Sequence, residues 1–317
     1  MSEHETLQVG VAQIAPVWLD REATLLKVRN YIARAAEKGC RLVCFGEALV
    51  PGYPFWVERT GGARFNSATQ KGMFAYYLDQ GVVVERGDLD PLRESCRAGG
   101  IAAYVGVMER APDRGGHSLY CSLVYIDPDG EIRSVHRKTQ PTYEERLVWA
   151  GGDGKGLRVH ELHPFRIGGL NCFENWMPLM RSALYAQGES LHVATWPGGE
   201  HNTVHLTRFL AMEARCYVVS ASGLLRAEDI PAGVPLRQEL LESSATFANG
   251  GSAIAGPDGQ WLIEPVVAEE RLITATLDAR RVREERHNFD LAGHYSRPDI
   301  TQLRVNRERQ ATAVFND

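Results

Sequence analysis

The opening forty-odd residues leave this chain little choice of architecture. An apolar run at 7–14 has strand character, and Asp20 can cap the helix after it, where Leu25, Val28, Ile32 and Ala35 recur at helical spacing. Gly39 then stands where a helix over 21–38 needs a left-handed residue to end it. Arg41-Leu42-Val43-Cys44-Phe45 reads as a second strand, and it delivers Gly46-Glu47 at its C-terminal end. Two strands joined by a helix pair in parallel, so the fold is α/β.

The alternation continues along the chain. Residues 49–56 form a loop rich in proline, glycine and aromatics, and Asp90-Pro91 caps a helix that runs to Gly99-Gly100. A strand follows at 101–109, and 122–135 is a hairpin around the turn sequence Asp127-Pro128-Asp129-Gly130. Strands are expected at 166–170, 191–195, 217–221 and 271–277, with helices at 178–187, at 202–215 and from Asp278 to about 286. A second hairpin turns at Gly256-Pro257-Asp258-Gly259, and the likeness of the two predicts an internally pseudo-symmetric arrangement. No linker, low-complexity tract or charge block divides the chain, which predicts one domain over 1–317 with a tail from about residue 300.

Composition excludes several classes of function. A net charge of -5 gives no electrostatic footprint for nucleic acid. No apolar run approaches the length of a membrane span, and the polar, acidic start is unlike a secretory or transit signal. The six cysteines follow neither a disulfide framework nor a CxxC pattern, and Cys40 and Cys44 read as packing residues. Free thiols of this kind suit a reducing cytoplasm.

Three polar residues end strands in a fold whose strand ends form sites: Glu47, Lys138 and Cys172. The strand at 166–170 stops at Cys172, and Trp176-Met177-Pro178 opens a helix, so the positive end of that helix is expected to favour a thiolate. A thiolate is a nucleophile, a carboxylate can take its proton, and an ammonium can lower the thiol pKa and meet developing negative charge. Other chemistries are poorly supported. His201 and His205 have a zinc-compatible spacing but no HExxH and no acidic partner, so no metal is expected. The 151–156 segment is glycine-rich without Walker spacing, and no GxSxG is present.

The sequence around these residues resembles a known family. His136-Arg137-Lys138-Thr139-Gln140-Pro141-Thr142-Tyr143-Glu144-Glu145-Arg146-Leu147-Val148-Trp149 is similar to the lysine motif of nitrilases, and Gly169-Leu170-Asn171-Cys172-Phe173-Glu174-Asn175-Trp176-Met177-Pro178-Leu179 to their cysteine motif. Phe45-Gly46-Glu47 with Pro51-Gly52-Tyr53-Pro54 resembles their glutamate motif, and Gly293-His294-Tyr295-Ser296-Arg297-Pro298-Asp299 a segment near their C-terminus. The likeness spans nearly the whole chain, in order, and implies a true nitrilase of the carbon–nitrogen hydrolase superfamily. It implies a four-layer αββα sandwich, no cofactor, and catalysis by Glu47, Lys138 and Cys172, with Glu145 orienting Lys138 and the attacking water. It further implies a pocket wall of Tyr53, Thr142, Trp149, Phe173, Trp196 and Pro197, a small nitrile as substrate, and a homodimer or higher homo-oligomer. The aromatics of that wall, Trp196 above all, can equally be read as core.

Amidases and carbamoylases of the superfamily share the Glu-Lys-Cys set, and cyanide is a further substrate of the same chemistry. The segment Pro141 to Arg146 and Phe173-Glu174-Asn175 after the nucleophile favour organic nitriles. Phe173 stands where arylacetonitrile-type members carry tryptophan, so their aromatic preference does not transfer to this chain.

Overall fold

The computed structural model describes residues 5–313. Strand β1 (Thr6–Gln13) leads through α1 (Arg21–Glu37) into β2 (Leu42–Phe45), and the two strands pair in parallel with Val9 opposite Leu42. The Asp20 carboxylate accepts from Ala23 N at 2.9 Å and starts the helix, and Gly39, at φ 77°, ends it. A loop with two helices, α2 (Trp56–Arg59) and α3 (Ala68–Asp79), precedes α4 (Asp90–Gly99). The expected Asp90 cap is not formed: Leu89 is the cap and Asp90 lies in the first turn. Then come β3 (Ala102–Arg110), β4 (Leu119–Ile126) and β5 (Ile132–Arg137).

The second half opens with the hairpin β6 (His160–Leu162) and β7 (Phe165–Asn171), followed by α5 (Pro178–Tyr185) and β8 (Leu191–Trp196). The helix expected over 202–215 is broken into α6 (Glu200–Thr203) and α7 (Leu206–Ala214), so His201 and His205 do not share a helix face. After β9 (Tyr217–Ser222) come β10 (Leu224–Arg226), α8 (Arg237–Ser243), and the hairpin β11 (Thr246–Ala255) and β12 (Trp261–Val267). Strand β13 (Arg271–Asp278) and α9 (Ala279–Asn288) follow, with Asp278 capping α9.

The strands form two sheets. One has the order β13-β1-β2-β3-β4-β5, and the other runs β6-β7-β8-β9-β11, with β10 and β12 both on β11. From β13 to β5 the pairings are antiparallel, parallel, parallel, antiparallel, antiparallel, and the series from β6 to β12 is the same. That repeat gives physical form to the internal correspondence expected from the two hairpins.

Alternation along the strands builds the layers. Val9, Val11, Leu42, Cys44 and Tyr104 of the first sheet pack against Ile167, Leu191, Val193, Tyr217 and Val219 of the second. The outward residues Val43, Phe45, Ala103 and Val105 meet Leu25, Val28, Ile32 and Ala35 of α1 and Leu92 and Cys96 of α4. On the far side Ala194, Trp196 and Val218 meet Leu206, Leu210 and Ala211 of α7. The result is a four-layer αββα sandwich. Each fully buried aliphatic side chain in these seams contributes about 1.5–3 kcal/mol. Among the described residues no helix is long and apolar enough to cross a membrane.

Candidate active site

The packing of the two sheets brings the ends of β2, β5 and β7 together. Strand β5 runs antiparallel to β4, and β4 antiparallel to β3, so β5 ends on the same edge as β2. Glu47 lies just past β2, Lys138 directly past β5, and Cys172 directly past β7 of the other sheet.

Backbone contacts hold each of the three. Glu47 N donates to the Trp196 carbonyl across the sandwich at 3.0 Å, and Lys138 N to the Cys121 carbonyl of β4 at 2.7 Å. Gly106 of β3 lets the glutamate turn press on the sheet. A side chain there would collide with the Gly46 carbonyl oxygen and stand 2.9 Å from Glu47 Cα. Cys172 itself has φ 38°, a left-handed conformation uncommon for a residue with a Cβ.

Side chains complete the cluster. Lys138 Nζ donates to Glu47 Oε1 at 2.9 Å and to Glu145 Oε2 at 2.7 Å, and all three side chains are buried. One oxygen of Glu47, one of Glu145 and the Cys172 sulfur lie within 4.8 Å of one another. Glu145 rides on the short 3-10 helix Tyr143–Leu147, where its Oε2 accepts from Thr142 N at 2.7 Å and its Oε1 from the Tyr53 hydroxyl at 2.7 Å. The trio Glu47, Glu145 and Cys172 is the one group among the described residues dense enough to suggest a metal. The Lys138 ammonium, bonded to both carboxylates, supplies the positive charge there.

Burial sets the electrostatics. It pushes the Glu47 carboxyl up to about 7 against the pull of Lys138, and Glu145 adds to the rise. Burial would lower the Lys138 ammonium, but Glu47, Cys172 and Glu145 outweigh it and the pKa is raised. The Cys172 thiol is raised as well, by burial and then by Glu47, with Lys138 only partly opposing them. This corrects the expectation of a resting thiolate. The helix thought to favour it begins at Pro178 as expected, but the 3-10 turn Cys172–Trp176 comes between the sulfur and that helix. A protonated thiol beside a carboxylate poised near neutrality is the resting state this cluster favours.

The remaining expected residues divide. Tyr53 and Trp149 stand at the cluster, with Tyr53 on Glu145, the Trp149 ring edge-on to Tyr53 at 5.4 Å, and Lys138 Nζ 5.9 Å from the Trp149 ring centre. Thr142 contributes its backbone N–H. Phe173, beside the nucleophile, is 45% exposed, and Pro197 is partly exposed. Trp196 serves through its carbonyl: its indole is buried in the outer core, bonded to Ser220 Oγ at 3.3 Å.

Two supporting residues were not anticipated. The Glu174 carboxylate accepts from Asn171 N at 3.1 Å, Thr139 N at 2.8 Å, Thr139 Oγ1 at 2.7 Å and His136 Nε2 at 2.9 Å. It therefore ties the lysine segment to the cysteine turn. Burial opposes its ionisation, but His136 and the Thr139 donors hold the carboxyl down at about 2. Asn175 Nδ2 donates to the Cys172 carbonyl at 3.0 Å and to the Leu170 carbonyl at 3.2 Å, and its Oδ1 rests against His192 Nε2 at 2.7 Å. A signal for the glutamates was present: Thr142…Glu145 and Asn171…Glu174 both have the N-cap to N3 spacing of a helix start.

Comparison with known proteins identifies the family. The model of the family described as carbon-nitrogen hydrolase matches residues 8–287. The chain belongs to that family. Within the carbon-nitrogen hydrolases its relatives lie on the nitrilase branch. It is 38% identical to "Nitrilase 2" of an unknown prokaryotic organism, over 100% of this chain and 98% of that one. It is 35% identical to an aliphatic nitrilase of Sinorhizobium fredii, over 97% of this chain and 98% of the relative. An aliphatic nitrilase of Rhodococcus rhodochrous is 32% identical over 98% of this chain and 85% of its own. Among solved structures, an amidase from Nesterenkonia sp. superposes with a TM-score of 0.64 at 22% identity, covering 90% of this chain and 95% of its own, a likeness of fold.

Proposed function

We propose that this chain is a nitrilase, hydrolysing an organic nitrile to the carboxylic acid and ammonia, with Glu47, Lys138, Cys172 and Glu145 as its catalytic residues. One observation carries the reading: a dry carboxylate–ammonium–carboxylate cluster lies within 4.8 Å of a thiol on a turn. The names of its curated relatives point the same way.

Glu47, with a pKa near 7, takes the thiol proton as Cys172 Sγ bonds to the nitrile carbon. The proton passes to the nitrile nitrogen, giving a thioimidate. Lys138 stabilises the negative charge that develops on the way. Water, oriented by Glu145 and deprotonated by Glu47, adds to the thioimidate carbon. The tetrahedral intermediate expels ammonia and leaves a thioester on Cys172. A second water releases the acid and returns the proton to sulfur. Expulsion of the cysteine from the tetrahedral intermediate gives the amide instead. The pocket wall would draw on Tyr53, Thr142, Trp149, Phe173 and Pro197, with Trp196 behind it.

Several further features belong to this reading. The chain acts as one catalytic domain over 1–317, with a tail from about 300, because β13 closes on β1 and a single seam of side chains joins the two sheets. It works as a homodimer or higher homo-oligomer: Trp176, Leu179, Phe209 and Met212, on and around α5 and α7, are 41–62% exposed. Six cysteines, all free, fit a reducing cytoplasm.

The test is product analysis by NMR on a panel of aliphatic, arylaliphatic and aromatic nitriles, cyanide and the matching amides. Acid and ammonia from nitriles, none from amides, and none from Cys172→Ala are expected. Turnover of amides alone would assign the chain to the amidase branch.

A further inference from the structure

The buried thiol of Cys121 stands inside the catalytic cluster, and the reaction as described gives it no part. Cys121 is the third residue of β4, with Met108 of β3 opposite it, and its side chain is buried. Its sulfur donates to Glu47 Oε1 at 3.4 Å, while its own carbonyl accepts from Lys138 N at 2.7 Å. One residue thus holds the carboxylate through its side chain and the lysine through its backbone. The two contacts come from adjacent parts of a central strand, where neither end is free to drift. Glu47 Oε1 receives Lys138 Nζ at 2.9 Å as well. Glu47 Oε2, also buried, has no hydrogen-bond partner among the described residues.

We propose that Cys121 is a positioning residue for the general base: its S–H and the Lys138 ammonium occupy Glu47 Oε1 together, which leaves Oε2 as the oxygen that exchanges protons with Cys172 and water. A carboxylate held by one oxygen cannot rotate, so its free lone pairs keep a fixed aim. A neutral donor does this without adding charge to a cluster that already holds two carboxylates and one ammonium. Burial and then Glu47 push the Cys121 thiol pKa upward, with Lys138 only partly opposing them, so it stays protonated and able to donate. The other groups facing Glu47 are Lys138 after β5, Glu145 on its 3-10 helix, Cys172 after β7, and the phenols of Tyr53, in the loop before α2, and of Tyr77 on α3. Among the described residues, the hydrogen bonds that reach the Glu47 side chain come from Lys138 and Cys121.

The inference rests on Glu47 being the base. Three variants separate a donor from a filler: Cys121→Ser keeps a donor in less volume, Cys121→Val fills the volume without a donor, and Cys121→Ala removes both. The readouts are the acidic limb of kcat/KM against pH, and the pH dependence of Cys172 alkylation by iodoacetamide, followed by peptide mass spectrometry. Loss of the donor should raise the Glu47 pKa, so Ala and Val are expected to move both inflections upward by about half to one pH unit. Ser is expected to leave them near the wild-type position. An unmoved limb in Ala and Val, or equal shifts in all three variants, would overturn the inference and leave the Glu47 assignment standing. A wild-type enzyme with no acidic inflection near neutrality in either readout would overturn both.

Discussion

Glu174→Gln tests whether the lysine segment and the cysteine turn are held as one unit. The native carboxylate satisfies four donors from three residues in a fully buried site. A glutamine keeps one acceptor oxygen and places an NH2 group where the other stood. Thr139 N bonds Oε1 and Asn171 N bonds Oε2, so either orientation of the amide leaves a buried backbone N–H facing another donor. An unsatisfied buried donor costs about 1–3 kcal/mol, and loss of charge assistance to the remaining donors brings the total to about 2–4 kcal/mol. The acid–base behaviour gives a similar figure. Holding the carboxyl at about 2 instead of its usual 4.5 corresponds to about 3 kcal/mol. Because the folded-state pKa is depressed, that contribution is complete above the usual carboxylate range and is lost as pH falls towards 2. Activity should fall further than stability requires, since a shift of an ångström between Lys138 and Cys172 costs about a hundredfold in rate. The assay is urea unfolding at pH 7 together with kcat at saturating nitrile. A variant that loses less than about 1 kcal/mol and keeps kcat within about twofold of wild type would refute the reasoning.

Other perturbations follow from the same geometry. The raised Glu47 pKa places the acidic limb of kcat/KM near pH 7, with activity lost below it as the base is protonated; a limb near the ordinary carboxylate pKa would show that burial does not control it. Tyr53→Phe removes the hydroxyl on Glu145 Oε1 and should lower kcat by about 10-fold to 100-fold with little change in the unfolding midpoint. Unchanged steady-state kinetics would remove Tyr53 from the machinery. Lys138→Met leaves two buried carboxylates facing each other, so it should abolish turnover and cost about 3–5 kcal/mol at pH 8, less at pH 5 where protonation relieves the repulsion. A pH-independent loss of stability would contradict that electrostatic account.

Local grammar made much of this legible in the sequence. The β1–α1–β2 unit was readable because the Asp20 cap, the apolar spacing of α1 and the Gly39 stop all agree. Helix α3 was missed because only Gln70, Met73 and Tyr77 are buried along it, leaving no continuous apolar face to read. The 202–215 segment looked like one helix because its composition stays helical through Val204 and His205, where the chain nevertheless breaks. At the site, Glu47, Lys138 and Cys172 were marked by their places at strand ends. The hydrogen bonds from Cys121 to Glu47 and from Tyr53 to Glu145 span 74 and 92 residues, and only packing of the sandwich creates them. The state of the Cys172 thiol was misjudged for a related reason. Its pKa depends on burial and on Glu47, neither of which the turn sequence reveals.

The central claim is that Cys172 carries the substrate covalently, with Glu47 as base. Intact-protein mass spectrometry after rapid acid quench of a nitrile turnover tests it most directly, followed by peptide mapping of the adduct. A thioimidate or acyl adduct confined to Cys172, and absent from Cys172→Ala, is the predicted result. Full acid production by Cys172→Ala, or an adduct on another residue that forms and decays at the turnover rate, would contradict it.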